Sequence, residues 1–144
     1  MRSLRESTRA TAGVTFDQML EKIRYEGAYP TRSRAETVTH AVLSGLGRQL
    51  TGDERVDLAA RLPAEAALIF TAQIPDPALL TGWGFVKDLS ARTGGTPATA
   101  RWDAGTVLAV VGHIAGPDLL DRIIGQLPSG YALLFGRAEL IQAA

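Results

Sequence analysis

The chain has 144 residues, and 46% of them are hydrophobic, which is enough to bury the core of one compact domain or of two very small ones. It contains no cysteine, so disulfide scaffolds, thiolate metal sites and cysteine nucleophiles are excluded. Fifteen basic side chains (Lys and Arg) balance fifteen acidic ones, whereas a nucleic-acid-binding protein usually carries a large basic excess.

Residues 1–13 are polar and contain several arginines, and we expect them to form a flexible N-terminal tail. Residues 1–34 carry a net charge of +3, from seven basic and four acidic side chains, so binding of nucleic acid through this tail is kept as a minor hypothesis. The tail lacks the apolar segment of a secretory signal, and no stretch approaches the roughly 18 apolar residues of a membrane span. We therefore expect a cytoplasmic protein with no membrane contact.

The first half of the chain, residues 14–70, predicts four helices. The first begins near Thr15 and carries an apolar stripe at i, i+3, i+4 and i+7. The second is expected to be capped by Ser33, because Ser33 and Glu36 have the spacing of a capping box. The third begins at a T-G-D-E sequence, and Pro63 then marks a corner before a short fourth helix. The residues predicted for the inner face of the second helix are Ala35, Val38, Val42, Leu46 and Leu50.

Residues 71–84, TAQIPDPALLTGWG, hold two prolines and two glycines and are predicted to connect the first half to the second. The helical pattern then restarts in residues 85–140. Its first helix ends at the glycines of residues 94–95, and Thr96 followed by Pro97 is typical of an N-cap with proline at the first helical position.

The two halves share a phrase, LPAEAALIF at residues 62–70 and LPSGYALLF at residues 127–135, which lie 65 positions apart. The matching residues are nearly all apolar, glycine or proline, so they set packing and corners. We predict an all-α protein in which two tandem four-helix units, 14–70 and 85–140, share one core about a pseudo-twofold axis. They form a single helical domain, residues 14–144.

The first half carries the run ETVTHAVLSGLGRQL, then TGDE, then DLAARLP, and the second half follows the same pattern with more drift. With these runs the chain resembles DUF2267, a bacterial family of unknown function. The resemblance covers about residues 14–137 and implies an all-helical bacterial cytoplasmic protein. It brings no established activity and no catalytic residues.

No catalytic, cofactor or metal site is predicted. Glu36 and His40 share a helix face at i and i+4, but a metal site needs at least a third protein ligand, and the repeat does not pair His40 with His113. The carboxylates at 53–57 and 118–121 fall in first turns of helices, where the helix macrodipole favours negative charge. We therefore expect a protein that is not an enzyme.

Three aromatic residues, Trp83, Tyr25 and Tyr29, are the candidate anchors for a partner. Trp83 either packs between the halves, which we favour, or is exposed as a binding hot spot. Trp102, at the start of a helix, is expected to be partly buried with a hydrogen-bond partner for its indole N–H.

Two functional hypotheses follow. The leading one is a non-enzymatic helical interaction module, an adaptor or a homodimer, because helical bundles readily offer grooves to partner helices. The alternative is a small-molecule-binding protein with a pocket between the two halves. Glycines that can leave room for such a pocket are Gly45, Gly47, Gly105 and Gly112.

Overall fold

The computed structural model describes residues 13–137, and every regular element within that range is a helix. The helices are α1 (Phe16–Glu26), α2 (Arg32–Gly47), α3 (Gly52–Arg61), α4 (Ala64–Thr71), α5 (Gly82–Thr93), α6 (Pro97–Ala115), α7 (Pro117–Gln126) and α8 (Tyr131–Leu134). The all-α prediction is confirmed. Residues 1–12 of the expected tail and residues 138–140 of the expected second unit lie outside the described residues.

Threonine side chains cap four helices, because a threonine hydroxyl reaches the amide three residues later. Thr15 accepts from the Gln18 amide at 3.1 Å, and the Gln18 side chain accepts in return from the Thr15 amide. Thr96 caps α6 as predicted. The prediction for α2 was wrong by two residues: Thr31 is the N-cap, and Ser33 lies within the first turn.

The connector is shorter than predicted. Thr81 accepts from the amide of Gly84 at 3.0 Å and so starts α5 before Trp83, which the sequence placed in the connector. The chain between α4 and α5 is held from both sides. Gln49 accepts from the Leu80 amide at 2.8 Å, and Tyr131 donates to the Leu80 carbonyl at 3.1 Å.

The two longest helices, α2 and α6, pack against each other and organise the core. α2 also packs against α1, α4 and α5, whereas α6 packs against α1, α5, α7 and α8. The inner-face residues predicted for α2 and the turn after it are all buried. In α3, by contrast, Val56 is 66% exposed, because this helix buries a narrow stripe around Leu58.

Three of the four glycines proposed to leave room for a pocket are used for close packing. A Cβ on Gly47 would lie 2.1 Å from the carbonyl oxygen of Phe70, so α2 and α4 touch there through their backbones. Cβ atoms on Gly45 and Gly112 would lie 3.1 Å from the side chains of Phe85 and Leu120. These positions bring elements together and leave no cavity.

Candidate binding groove

An open groove of about 870 Å³ runs between α1, α6 and α8. We call it the α1/α6/α8 groove. Its apolar lining includes the buried residues Met19 from α1, Val110 from α6 and Leu134 from α8. Exposed apolar side chains also line it: Val14, Leu133 and Trp102 are 37%, 57% and 55% exposed. The fold therefore gathers apolar side chains from three separate segments around one concave surface.

Trp102 has a fixed orientation in this groove. Its indole Nε1–H donates to the carbonyl of Gly27 at 3.0 Å, while more than half of the side chain stays exposed. The expected hydrogen-bond partner for the indole N–H is confirmed, whereas the expected partial burial is wrong, because Trp102 is exposed. The hydrogen bond uses up the polar atom of the side chain, so the apolar ring is what remains for a ligand.

Asp103, the residue after Trp102, also attaches α1 to α6. Tyr29, in the turn after α1, donates its hydroxyl to Asp103 at 2.6 Å. Burial and this hydrogen bond raise the pKa of Tyr29 above its ordinary range. Two adjacent residues of α6, Trp102 and Asp103, therefore hold the end of α1, and with it one wall of the groove.

Polar side chains stand at the edges of the groove. Lys22 and Glu26 of α1 form an ion pair at 3.6 Å. Arg101 lies at one end of the α6 wall, with its Nη1 atom close over Gly105, only 2.8 Å from where a Cβ would be. His113 lies toward the other end of the same wall. Within residues 13–137, neither Arg101 nor His113 takes part in an ion pair.

The three anchors predicted from the sequence differ in exposure. Trp83 is 59% exposed in the first turn of α5, so it is not packed between the halves. Tyr25 is 76% exposed, whereas Tyr29 is only 8% exposed and directs its hydroxyl to Asp103. None of the three lines the α1/α6/α8 groove.

The two histidines lie at different places in the fold. His113 lines the groove, whereas His40 lies on α2 with its Nδ1 atom 3.5 Å from the Ser44 hydroxyl. Nowhere in the described range do three His, Cys, Asp or Glu side chains gather in a way that could hold a metal ion. Glu54 accepts from Arg122 and from Gln126, at 3.3 Å and 2.8 Å, which gives this carboxylate a structural role.

Comparison with known families bears on this arrangement. The model of a family described as "Uncharacterized conserved protein (DUF2267)" matches residues 16–134. The chain belongs to this family. The resemblance in the sequence is thereby confirmed, and the matched range includes every helix of the structure. No curated protein matches the chain.

The DUF2267 description names no activity, so the groove itself is the source of functional inference. Sequence reasoning missed it because its walls come from residues about 90 positions apart in the chain, Met19 and Ala109 for example. A usable signal was present in α6. Trp102, Gly105 and Ala109 fall at i, i+3 and i+7, a stripe of one aromatic and two small residues on one helix face.

No helix among the described residues has the length and apolar character needed to cross a membrane.

Proposed function

We propose that this DUF2267 protein is a non-enzymatic interaction module that receives an amphipathic helix of a partner protein in the α1/α6/α8 groove. The observation that carries the proposal is the exposed Trp102 ring, held in place by its hydrogen bond to Gly27 on the wall of an apolar groove. Tryptophan is enriched among residues that dominate binding energy, and an oriented ring loses little freedom on binding. The proposed location is the cytoplasm, on the basis of a sequence without cysteine.

The dimensions of the groove favour a helix. Lining residues on α6 extend from Arg101 to Ile114, which is about 20 Å at 1.5 Å per residue. A partner helix of about 13 residues has the same length. Its apolar face would meet Met19, Val110 and Leu134, while its polar face would remain in water. Helix-in-groove recognition requires this combination of a long apolar floor and an open top.

A small molecule is the second candidate for the same groove. The groove lies between α1, from the first predicted half, and α6 and α8, from the second. Its volume of about 870 Å³ falls inside the range of small-ligand sites. We place this candidate second because a small-ligand site usually encloses most of its ligand, whereas this groove is open along its length.

The finer prediction about the fold, two tandem units related by a pseudo-twofold axis, is also a proposal. Helices α3 and α7 each have ten residues, and their bounds lie 65 positions apart. A Cβ on Gly47 would approach Phe70, and one on Gly112 would approach Phe135 at 3.4 Å. These glycine and phenylalanine pairs are also 65 positions apart, which supports the repeat.

Contacts between α3 and α7 support the same proposal because they are reciprocal. Arg61, at the end of α3, donates to the carbonyl of Ala115, next to the N-cap of α7. Gln126, at the end of α7, donates to the carbonyl of Thr51 at 2.9 Å, and Thr51 is the N-cap of α3. Each helix end therefore reaches the start of the other, as a twofold axis requires.

The interaction proposal is tested by affinity capture from the native cell lysate with matched variants. Ala109 is exposed and lines the groove, so Ala109→Arg places a long charged side chain there. Ala91 is exposed on α5 outside the groove, so Ala91→Arg is the control. We expect one protein to be captured in stoichiometric amount by the wild type and by the Ala91→Arg variant, and at least tenfold less by Ala109→Arg.

Equal capture by both variants would contradict the groove as the binding site. If no protein is captured, native mass spectrometry of the purified chain decides between the candidates. A retained small molecule that is lost in the Ala109→Arg variant would support the second candidate and overturn the first.

A further inference from the structure

We propose that the α1/α6/α8 groove selects partner helices that carry acidic side chains at both ends of their apolar face. The inference rests on the proposed function and adds the chemistry of the partner. Its basis is the distribution of charge along the α6 wall, where the two ionisable residues that line the groove are both basic: Arg101 and His113.

Arg101 is placed to receive a carboxylate. It is exposed at the N-terminal end of the α6 wall, next to Trp102, and it has no ion-pair partner within the described range. Gly105 has no side chain, so the guanidinium lies close to the helix surface, inside the groove. A guanidinium in this position can donate two parallel hydrogen bonds to one carboxylate, which adds geometric specificity to charge attraction.

His113 marks the opposite end of the same wall. It is exposed, it lies in the last turn of α6, and it is 12 residues beyond Arg101, which corresponds to about 18 Å along the helix. A partner helix lying along α6 would therefore present acidic side chains about 12 residues apart to the two groups.

The opposite wall does not cancel this preference. Lys22 and Glu26 of α1 pair with each other, so together they add no net charge to the groove. Arg101 therefore leaves the charged side chains that line the groove positive on balance, although the whole chain is neutral. Complementary charge at the rim of an interface sets specificity and association rate.

The test is a selection of helical peptides on the full chain. A phage library of 16-residue amphipathic helices keeps one apolar face constant and varies the flanking positions among Asp, Glu, Lys, Arg and Ser. Selection runs on the wild type, on the Arg101→Gln/His113→Gln double variant and on the groove-filling Ala109→Arg variant. Fluorescence anisotropy then gives the affinity of the best peptide and of its charge-reversed partner.

We expect peptides selected on the wild type to be enriched in Asp and Glu at both ends of the apolar face. The best one should bind at least tenfold more tightly than its Lys-substituted form, and the double variant should lose most of that difference. Peptides that bind the groove without charge preference, or with basic flanks, would overturn the inference and leave the proposed function standing. If Ala109→Arg reduces the binding of no selected peptide, the proposed function and the inference both fall.

Discussion

Arg122 and Asp57 form an ion pair between two residues that hold the same position in their helices. Each is the sixth residue of its helix, α7 and α3 respectively, and Arg122 Nη2 lies 2.8 Å from Asp57 Oδ2. The hydrogen bond that Arg122 donates to Asp57 raises the pKa of Arg122. In a twofold arrangement a residue meets its own equivalent only beside the axis. The proposed pseudo-twofold axis therefore passes between these two side chains.

Exchange of this pair is the first prediction. Asp57→Arg alone should lower the free energy of unfolding by about 1 kcal/mol, because two guanidinium groups then face each other at an exposed site. Adding Arg122→Asp should restore most of the loss, since the proposed axis makes the two positions equivalent. Urea denaturation of the wild type, both single variants and the exchanged double variant measures this. If the double variant loses as much unfolding free energy as the two single variants together, the equivalence is contradicted.

The contact between α2 and α4 gives a second prediction. A Cβ on Gly47 would lie 2.1 Å from a backbone carbonyl, so Gly47→Ala must separate the two helices and should cost about 2 kcal/mol or more. Gly125→Ala is the matched control, because nothing lies within 4 Å of a Cβ at that position. It should stabilise the protein by about 0.5–1 kcal/mol through helix propensity. Thermal unfolding of both variants gives the comparison, and equal midpoints would disprove the backbone contact.

The hydrogen bond between Tyr29 and Asp103 predicts a specific dependence on pH. Because the pKa of Tyr29 is raised above 10.0 in the folded protein, the unfolded chain loses this proton first as the pH rises. Tyr29 therefore stabilises the fold below about pH 10, and this contribution declines above it. At pH 8, Tyr29→Phe should cost about 1–2 kcal/mol through the lost hydrogen bond.

Between pH 10 and pH 11 the difference between wild type and Tyr29→Phe should shrink, by at most about 1.4 kcal/mol per pH unit. Chemical denaturation at pH 8, 10 and 11 measures the two proteins side by side. All other titrating groups are the same in both proteins, so a change in this difference with pH reports on Tyr29 alone. A difference that stays constant up to pH 11 would show that the pKa of Tyr29 is not raised.

Arg55 provides the fourth prediction, because its guanidinium donates hydrogen bonds to several backbone carbonyls. It donates to the carbonyls of Gly47, Leu50 and Gln73 at 2.5, 3.0 and 2.6 Å. Burial lowers its pKa. Arg55→Met keeps the apolar stem but removes the donors, and should cost about 2–3 kcal/mol. The control is Arg92→Met, which breaks only an exposed pair with Asp88 and should cost less than about 1 kcal/mol. Equal costs would contradict the bridging role.

Local patterns were the most predictable part of this fold. The stripe of α2 and the Thr96–Pro97 start of α6 depend on residues within a few positions of each other, and both predictions were confirmed. The start of α2 was misplaced because Thr31 and Ser33 are both good caps. Thr31 is the cap because its backbone is extended, with φ −138° and ψ 159°, and its side chain accepts from the Arg34 amide.

The groove was far less predictable than the helices. Its existence depends on the angle and distance between α1 and α6, which follow from long-range contacts such as Trp102 with Gly27 and Tyr29 with Asp103. A single sequence carries no direct record of such pairs. Trp83, which stands between two glycines in the sequence, was the predicted anchor. Trp102 is instead the tryptophan that lines the groove.

The two tryptophans permit the most direct test of the central claim, that the α1/α6/α8 groove is the binding site. The chain has only Trp83 and Trp102, so an ¹⁵N–¹H correlation spectrum shows two indole signals, which Trp102→Phe assigns. The selected helical peptide is titrated into the labelled full chain. We predict that the Trp102 indole signal shifts or broadens as the peptide binds, while that of Trp83 stays in place. A shift of the Trp83 signal with the Trp102 signal unchanged would contradict the claim and place the partner on α5.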